Sequence, residues 1–206
     1  MDQFDWRPFL KRFSEAMLED DSIRERLPAD AVNSRWLGFD PASSEEIRAL
    51  ESRIGVELPP SYRSFLETTN GWRDSGGFIY RMWSTLEIYW FRVRHQQWVD
   101  AYEEPWKERH GGDVVLPSVP DNEYFVYGDD TVHPMRVEYI RSILDISDVG
   151  DSAILLLNPE VVFNDGEWEA WFFATWGIEP YRYRSFRELM EYNYEAFLQL
   201  RSDEEN

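Results

Sequence analysis

Residues 43–72 read SSEEIRALESRIGVELPPSYRSFLETTNGW, and their punctuation decides how the chain begins to fold. Ser43 with Glu46 three residues on has the spacing of a capping box, in which hydroxyl and carboxylate satisfy orphan amides at a helix start. Ile47, Leu50 and Ile54 recur at three to four residues and form one apolar stripe, while Gly55 stands where a helix gives way to a left-handed residue. Pro59-Pro60 blocks continuation and puts a proline at the first position of a short helix through Tyr62, Phe65 and Leu66. Asn70-Gly71 ends that helix, since both residues tolerate left-handed backbone.

Upstream, Phe9, Leu10, Phe13, Met17 and Leu18 predict an amphipathic helix over about residues 7–20. Downstream, residues 78–83 read as a strand. Residues 86–109 carry an imperfect helical pattern that divides Trp90, Val93, Trp98, Tyr102 and Trp106 between two packing surfaces. Beyond Gly111 the texture changes to short β-prone runs at 124–127, 137–146, 153–157 and 167–173, with Asn164-Asp165-Gly166 as a turn. Alternation of Trp168, Ala170 and Phe172 with Glu167 and Glu169 predicts a strand with one solvated face. Ser185 caps a closing helix bearing Phe186, Leu189, Met190, Tyr194, Phe197 and Leu198. Helices, then strands, then a helix is an α+β order. The expected organisation is a single domain over 43–198, an N-terminal helical extension at 1–42 packed on it, and a frayed acidic tail at 199–206.

The 44–72 cluster resembles the opening motif of the SUKH superfamily, named in part after fungal Smi/Knr cell-wall regulators. The runs AILLLN at 153–158, EWEAWFFA at 167–174 and YRSFREL at 183–189 look like the strands and closing helix of its bacterial members. The resemblance implies helices on one mixed, mostly antiparallel sheet, and no catalytic residues. It also implies an immunity protein of a polymorphic toxin system, one that binds and neutralises a toxin such as a nuclease or deaminase. Fungal relatives look like interaction scaffolds, which supplies the alternative reading. Residues 86–106 and the segment before residue 30 go beyond the minimal pattern.

Composition narrows the partner. With 40 Asp and Glu against 21 Lys and Arg the formal charge is −19, which repels phosphate backbones and anionic lipid heads. Direct nucleic-acid or membrane binding is therefore not expected, whereas a basic protein would be attracted. Residues 111–206 hold 6 basic and 20 acidic side chains against 15 and 20 in residues 1–110, so the sheet-forming half is expected to carry a continuous negative field. The first residues lack the positive charge and apolar run of a signal peptide, and the absence of cysteine suits a reducing compartment, so a cytoplasmic location is expected. Nineteen of the 21 bases are Arg, a bias compatible with a GC-rich bacterial genome.

Asp129-Asp130 and Glu167 with Glu169 are the nearest approach to carboxylate dyads, because i and i+2 on a strand share a face. General acid–base work needs one desolvated carboxyl, which a solvated face does not supply, so no enzyme and no cofactor are expected. His95, His110 and His133 lack metal-ligand spacing. Turn position and strand phase single out Asp121, Glu123, Asp129, Asp130, Asp165, Glu167 and Glu169 as the residues that would contact a basic toxin, their carboxylates standing where substrate phosphates would lie. Trp72, Trp83, Trp90, Trp98 and Trp106 are expected in the core, where large aromatics dominate buried area.

Overall fold

The computed structural model describes residues 4–76, 78–112, 117–128, 134–174, 176–177 and 179–204. Helices come first: α1 (Trp6–Met17), α2 (Asp21–Arg26), α3 (Ala29–Ser34), α4 (Ser44–Ile54) and α5 (Pro60–Thr68). Strands β1 (Trp72–Arg73), β2 (Arg81–Met82) and β3 (Tyr89–Trp90) lead into α6 (Phe91–Arg94), α7 (Gln96–His110) and α8 (Asp121–Tyr124). After a 3₁₀ turn at Val137–Tyr139 come β4 (Leu144–Asp145), β5 (Ala153–Val162), β6 (Trp168–Ala174) and β7 (Tyr181–Tyr183), and α9 (Phe186–Glu204) closes the chain.

The 43–72 signals act as read. Ser43 and Glu46 form both halves of the capping box, and Gly55 takes φ 80° after Ile54. Pro60 opens α5. Gly71 turns at φ 102°, and a Cβ there would sit 2.9 Å from the Met82 carbonyl, so the β1–β2 ribbon requires glycine at that point.

The main sheet has the order β3-β4-β5-β6-β7, and every described pair is antiparallel. Side chains alternate across it into two cores. Ala153, Leu155, Leu157, Trp168 and Ala170 face the first core, built on α1, α4, α5 and α9 through Phe13, Ile47, Phe65 and Phe186. Ile154, Leu156, Trp171 and Phe173 face a second core with Phe91, Val99, Ile140 and Ile143. The sheet is thus covered on both faces, which corrects the expectation of a solvated face on β6. The layer over the second face is α7 and the 3₁₀ turn; Trp98 and Trp106 belong to it, whereas Trp90, at the end of β3, packs on the first core. Val93 is exposed and packs on neither. Trp72 is fully buried and Trp83 half-buried, in line with core roles.

Three local expectations are revised. Of residues 78–83 only Arg81–Met82 is strand, because the Tyr80 and Arg81 amides donate to Asp148 Oδ1 at 3.2 and 3.1 Å instead of to a ladder. Residues 124–127 are not a strand: Pro120 starts the single turn α8, which ends at Tyr124. Residues 137–146 divide into the 3₁₀ turn and β4. At the far end α9 continues as helix to Glu204.

Burial on both faces sets a test. Leu155→Ala and Leu156→Ala, one for each core, are each expected to cost about 2–5 kcal/mol in chemical denaturation. A cost well under 1 kcal/mol for Leu156→Ala would put that face back in solvent.

Candidate functional site

Glu169 anchors the most elaborate polar cluster among the described residues. It lies on the second-core face of β6, in register with Asn158 of β5. Tyr124 and Tyr127 donate to its two oxygens at 2.6 Å each, Asn158 Nδ2 at 2.9 Å and Trp171 Nε1 at 2.6 Å. Arg182 of β7 donates to Oε1 at 2.7 Å and, through its other nitrogen, to the Tyr124 carbonyl at 2.6 Å. Its guanidinium lies 3.9 Å from the Tyr124 ring centre. Asn158 is delivered by an irregularity in the β5–β6 register between Asn158 and Val162, where Pro159 has no amide for the ladder.

Both charged side chains are wholly buried. Burial, reinforced by the Glu169 charge, pushes the Tyr124 and Tyr127 hydroxyls far up, so both keep their protons and donate. No substrate reaches a carboxylate in this position. What the cluster does chemically is fasten α8 and the loop after it to the sheet, a positioning role.

The other singled-out acids are dispersed. Asp121 is exposed at the start of α8 and paired with Arg136, whose guanidinium is itself held by the Val119 carbonyl and the Tyr139 hydroxyl, each at 2.9 Å. Glu123 is exposed one turn on. Asp129 and Asp130 lie outside the described residues. Asp165 is exposed in the β5–β6 turn, where Gly166 takes φ 83°. Glu167 is half-buried and accepts from the Ser61 amide at 2.8 Å and the Ser61 hydroxyl at 2.6 Å, a carboxylate stationed at the N-terminus of α5. The expected continuous negative field is thinner than the acid count suggests. Asp145 is buried against Arg94 at 2.9 Å, Glu179 accepts the Met135 amide and Glu138 accepts from Ser118.

The fold does gather one surface. Phe125, Val126 and Val162 are 46, 47 and 57% exposed, large values for apolar side chains. A shallow groove of about 350 Å³ joins Phe125, Val162, Phe163, Asp165 and Arg184. A second groove, of about 650 Å³, shares Phe163, Asp165 and Arg184 and extends to Glu167 and the starts of α5 and α9. Apolar centre and charged rim are the composition of an interaction surface. Sequence reasoning missed Phe125 and Val126 because it read 124–127 as strand; Pro120-Asp121, a helix-start pair, was the available signal. It also missed the Glu169 partners, for which the available signal was an acid set between Trp168 and Trp171. Among the described residues no three His, Asp or Glu side chains are arranged to hold a metal ion, and no helix is long and apolar enough to cross a membrane.

Residues 41–192 match the model of the SMI1/KNR4 family (SUKH-1), about three-quarters of the chain. The chain belongs to the SMI1/KNR4 family. No curated protein matches it. The SUKH-1 match starts two residues before the Ser43 cap and ends within α9, so it takes in the Glu169 cluster, the smaller groove and all of the larger one but Phe4, and leaves out α1, α2 and α3.

Two measurements check this site. Removing one member of a buried pair strands the other, so Glu169→Leu is expected to lose about 3–5 kcal/mol of stability. Glu169→Leu with Arg182→Met should recover part of it, and a double-mutant cycle with no coupling would refute the pairing. Titration gives the second. Burial raises the carboxyls of Asp74, Asp148, Glu167 and Glu179 above their ordinary values. A carboxyl raised on folding binds its proton more tightly when folded, so stability falls as pH rises from the usual carboxylate range through the raised values. Asp20, lowered by the Ser22 hydroxyl, and Glu46, lowered by the Ser43 amide, act oppositely and only at lower pH. Thermal melts should therefore decline as pH rises out of the ordinary carboxylate range, upward of about pH 4, and Glu167→Gln should flatten that slope.

Proposed function

We propose that this SUKH-1 protein is an immunity protein: it binds a cognate toxin, basic in charge, and neutralises it by covering its active site or substrate groove. The observation that carries the reading is the exposed apolar surface of Phe125, Val126 and Val162, a ledge with Asp165 and Arg184 at the edge of its groove, in a chain of the SMI1/KNR4 family. The ledge supplies area to bury, and Asp121, Glu123, Asp165 and Glu167 supply the attraction that steers a cation-rich surface and stands in for substrate phosphates. Asp129 and Asp130, between these elements in sequence, belong to the same acidic set. Glu169 acts differently from the rest: it holds the α8 loop from inside, so that the ledge and its rim are presented together. A nuclease or deaminase, whose substrate groove is itself basic, fits this surface, and a bacterial, cytoplasmic setting fits the pairing.

The test is copurification of tagged protein from its native cells at low and moderate salt. The expected result is one stoichiometric basic partner whose separate expression kills cells and whose killing this protein suppresses. Val162→Asp should weaken that complex about tenfold or more through k_off, whereas Glu123→Gln with Asp165→Asn should slow association and lessen its salt dependence. Several substoichiometric partners and no toxicity would favour instead the scaffold role of the Smi/Knr type.

A further inference from the structure

Residues 75–99 carry three arginines and one acid, in a chain of 40 acids and 21 bases. Two of these arginines, Arg81 and Arg94, interleave with two rings and with Arg53 from the last turn of α4. Arg53 lies 5.0 Å from the centre of the Tyr89 ring, and Arg94 lies 4.9 Å from it. Arg94 is also 5.2 Å from the Trp83 ring, and Arg81 is 5.6 Å from that same ring. The result is a ladder in the order Arg53, Tyr89, Arg94, Trp83, Arg81, supported by the attraction of a guanidinium for a ring face. It stands at the β3 margin of the main sheet and shares no residue with the ledge or its grooves.

The ladder is fixed in place yet only partly neutralised. Arg94 donates to Asp145 Oδ2 at 2.9 Å and to the Glu87 carbonyl, and Asp145 is wholly buried. Arg81, whose side chain is 46% exposed, pairs with Glu87 at 2.8 Å through Nη2 alone. Arg53 is exposed and has no acid among the described residues. Its Nη2 donates to the Thr85 and Ile88 carbonyls at 2.5 and 3.1 Å, which pins the side chain, while Nε and Nη1 have no acceptor among the described residues. Beside these donors lies carbon. Leu86 is 69% exposed, between Thr85, held by Arg53, and Glu87, held by Arg94; Tyr89 is 37% exposed. Open guanidinium donors require an anion, and the leucine and ring favour one borne on an apolar chain. Nucleic acid fits poorly: guanidiniums already lie over the rings on which bases would stack, and a charge of −19 repels a polyphosphate. A short acidic segment brings its charges singly and carries side chains between them.

We propose that this ladder docks an acidic polypeptide segment of a partner protein, whose carboxylates accept from Arg53 and Arg81 and whose apolar side chain lies on Leu86 and Tyr89. Stacking and main-chain bonds order the guanidiniums beforehand, so little side-chain freedom is lost on binding. The surface shares nothing with the ledge, so it stands or falls apart from the immunity reading.

The full chain, labelled with ¹⁵N, is titrated with acetyl-Glu-Glu-Leu-Glu-Glu-amide while the arginine Nε and Trp83 indole resonances are followed. Three comparisons run beside it: the peptide with Gln for every Glu, the peptide with Gly for Leu, and single-stranded oligothymidylate. The expected result is saturable shifts at Arg53, Arg81 and Trp83 with the first peptide. The Gln peptide should bind about tenfold more weakly, the worth of a charge-assisted hydrogen bond, and the Gly peptide about threefold more weakly. Arg53→Gln leaves the Arg94 pair with Asp145 intact and should weaken the Glu peptide about fivefold or more, with Arg53→Lys restoring part. Arg81→Gln, a change at a side chain that holds no carbonyl, reads the same loss if Arg53→Gln does not fold. Equal binding of the Glu and Gln peptides, no shift at either arginine, unchanged affinity in a folded variant, or tighter binding of oligothymidylate would each overturn the proposal.

Discussion

A carboxylate and a guanidinium shut away from water, Glu169 and Arg182, constrain everything built around them. Neither tolerates burial alone, so the sequence surrounds the pair with groups that complete it: two phenols, an indole, an amide and a main-chain carbonyl. Those groups come from α8 and the loop after it, β5, β6 and β7, and meeting the demand of one charge therefore fixes four parts of the fold relative to one another. Such pairs contribute less to net stability than to uniqueness, because a rearranged packing would leave at least one charge unmet. In this chain the uniqueness bears on the ledge at Phe125 and Val126, which follow Tyr124 directly.

The charge of −19 is used in two different ways. Part of it is internal and structural: Asp145 joins Trp83 to Arg94, Glu103 joins α7 to Arg141, and Asp74 holds Arg26 of α2. The remainder stands in solvent, at Asp121, Glu123, Glu160 and Asp165 among others. Counting acids along the chain overstates the outward field, since a carboxylate that is itself buried against an arginine projects little beyond it. The partner-facing field depends on which acids the fold leaves outside.

Much of the fold was legible because its signals were local. The Ser43–Glu46 box, Gly55, Pro60, the 164–166 turn and Ser185 each state a backbone geometry in two to four residues, and each holds in the structure. The second core was not legible in the same way. Phe172 and Trp171 are adjacent in β6 and equally apolar, and nothing local says that both faces will be covered; that needed knowledge of where α7 returns. The same gap made Glu169 look solvated, and the β-prone run at 124–127 hid the helical turn at 121–124 just before it. Family resemblance carried the architecture across that gap but said nothing of which acids are exposed.

The sheet is long in the middle and short at its margins. β5 spans ten residues and β6 seven, while the edges β3 and β7 have two and three. The apolar runs best suited to cross-chain stacking are therefore interior strands with both neighbours already in place. An incoming strand would find only two or three residues of ladder at either margin. A chain with 17% aromatic residues gains from this a resistance to edge-to-edge addition that its composition alone would not confer.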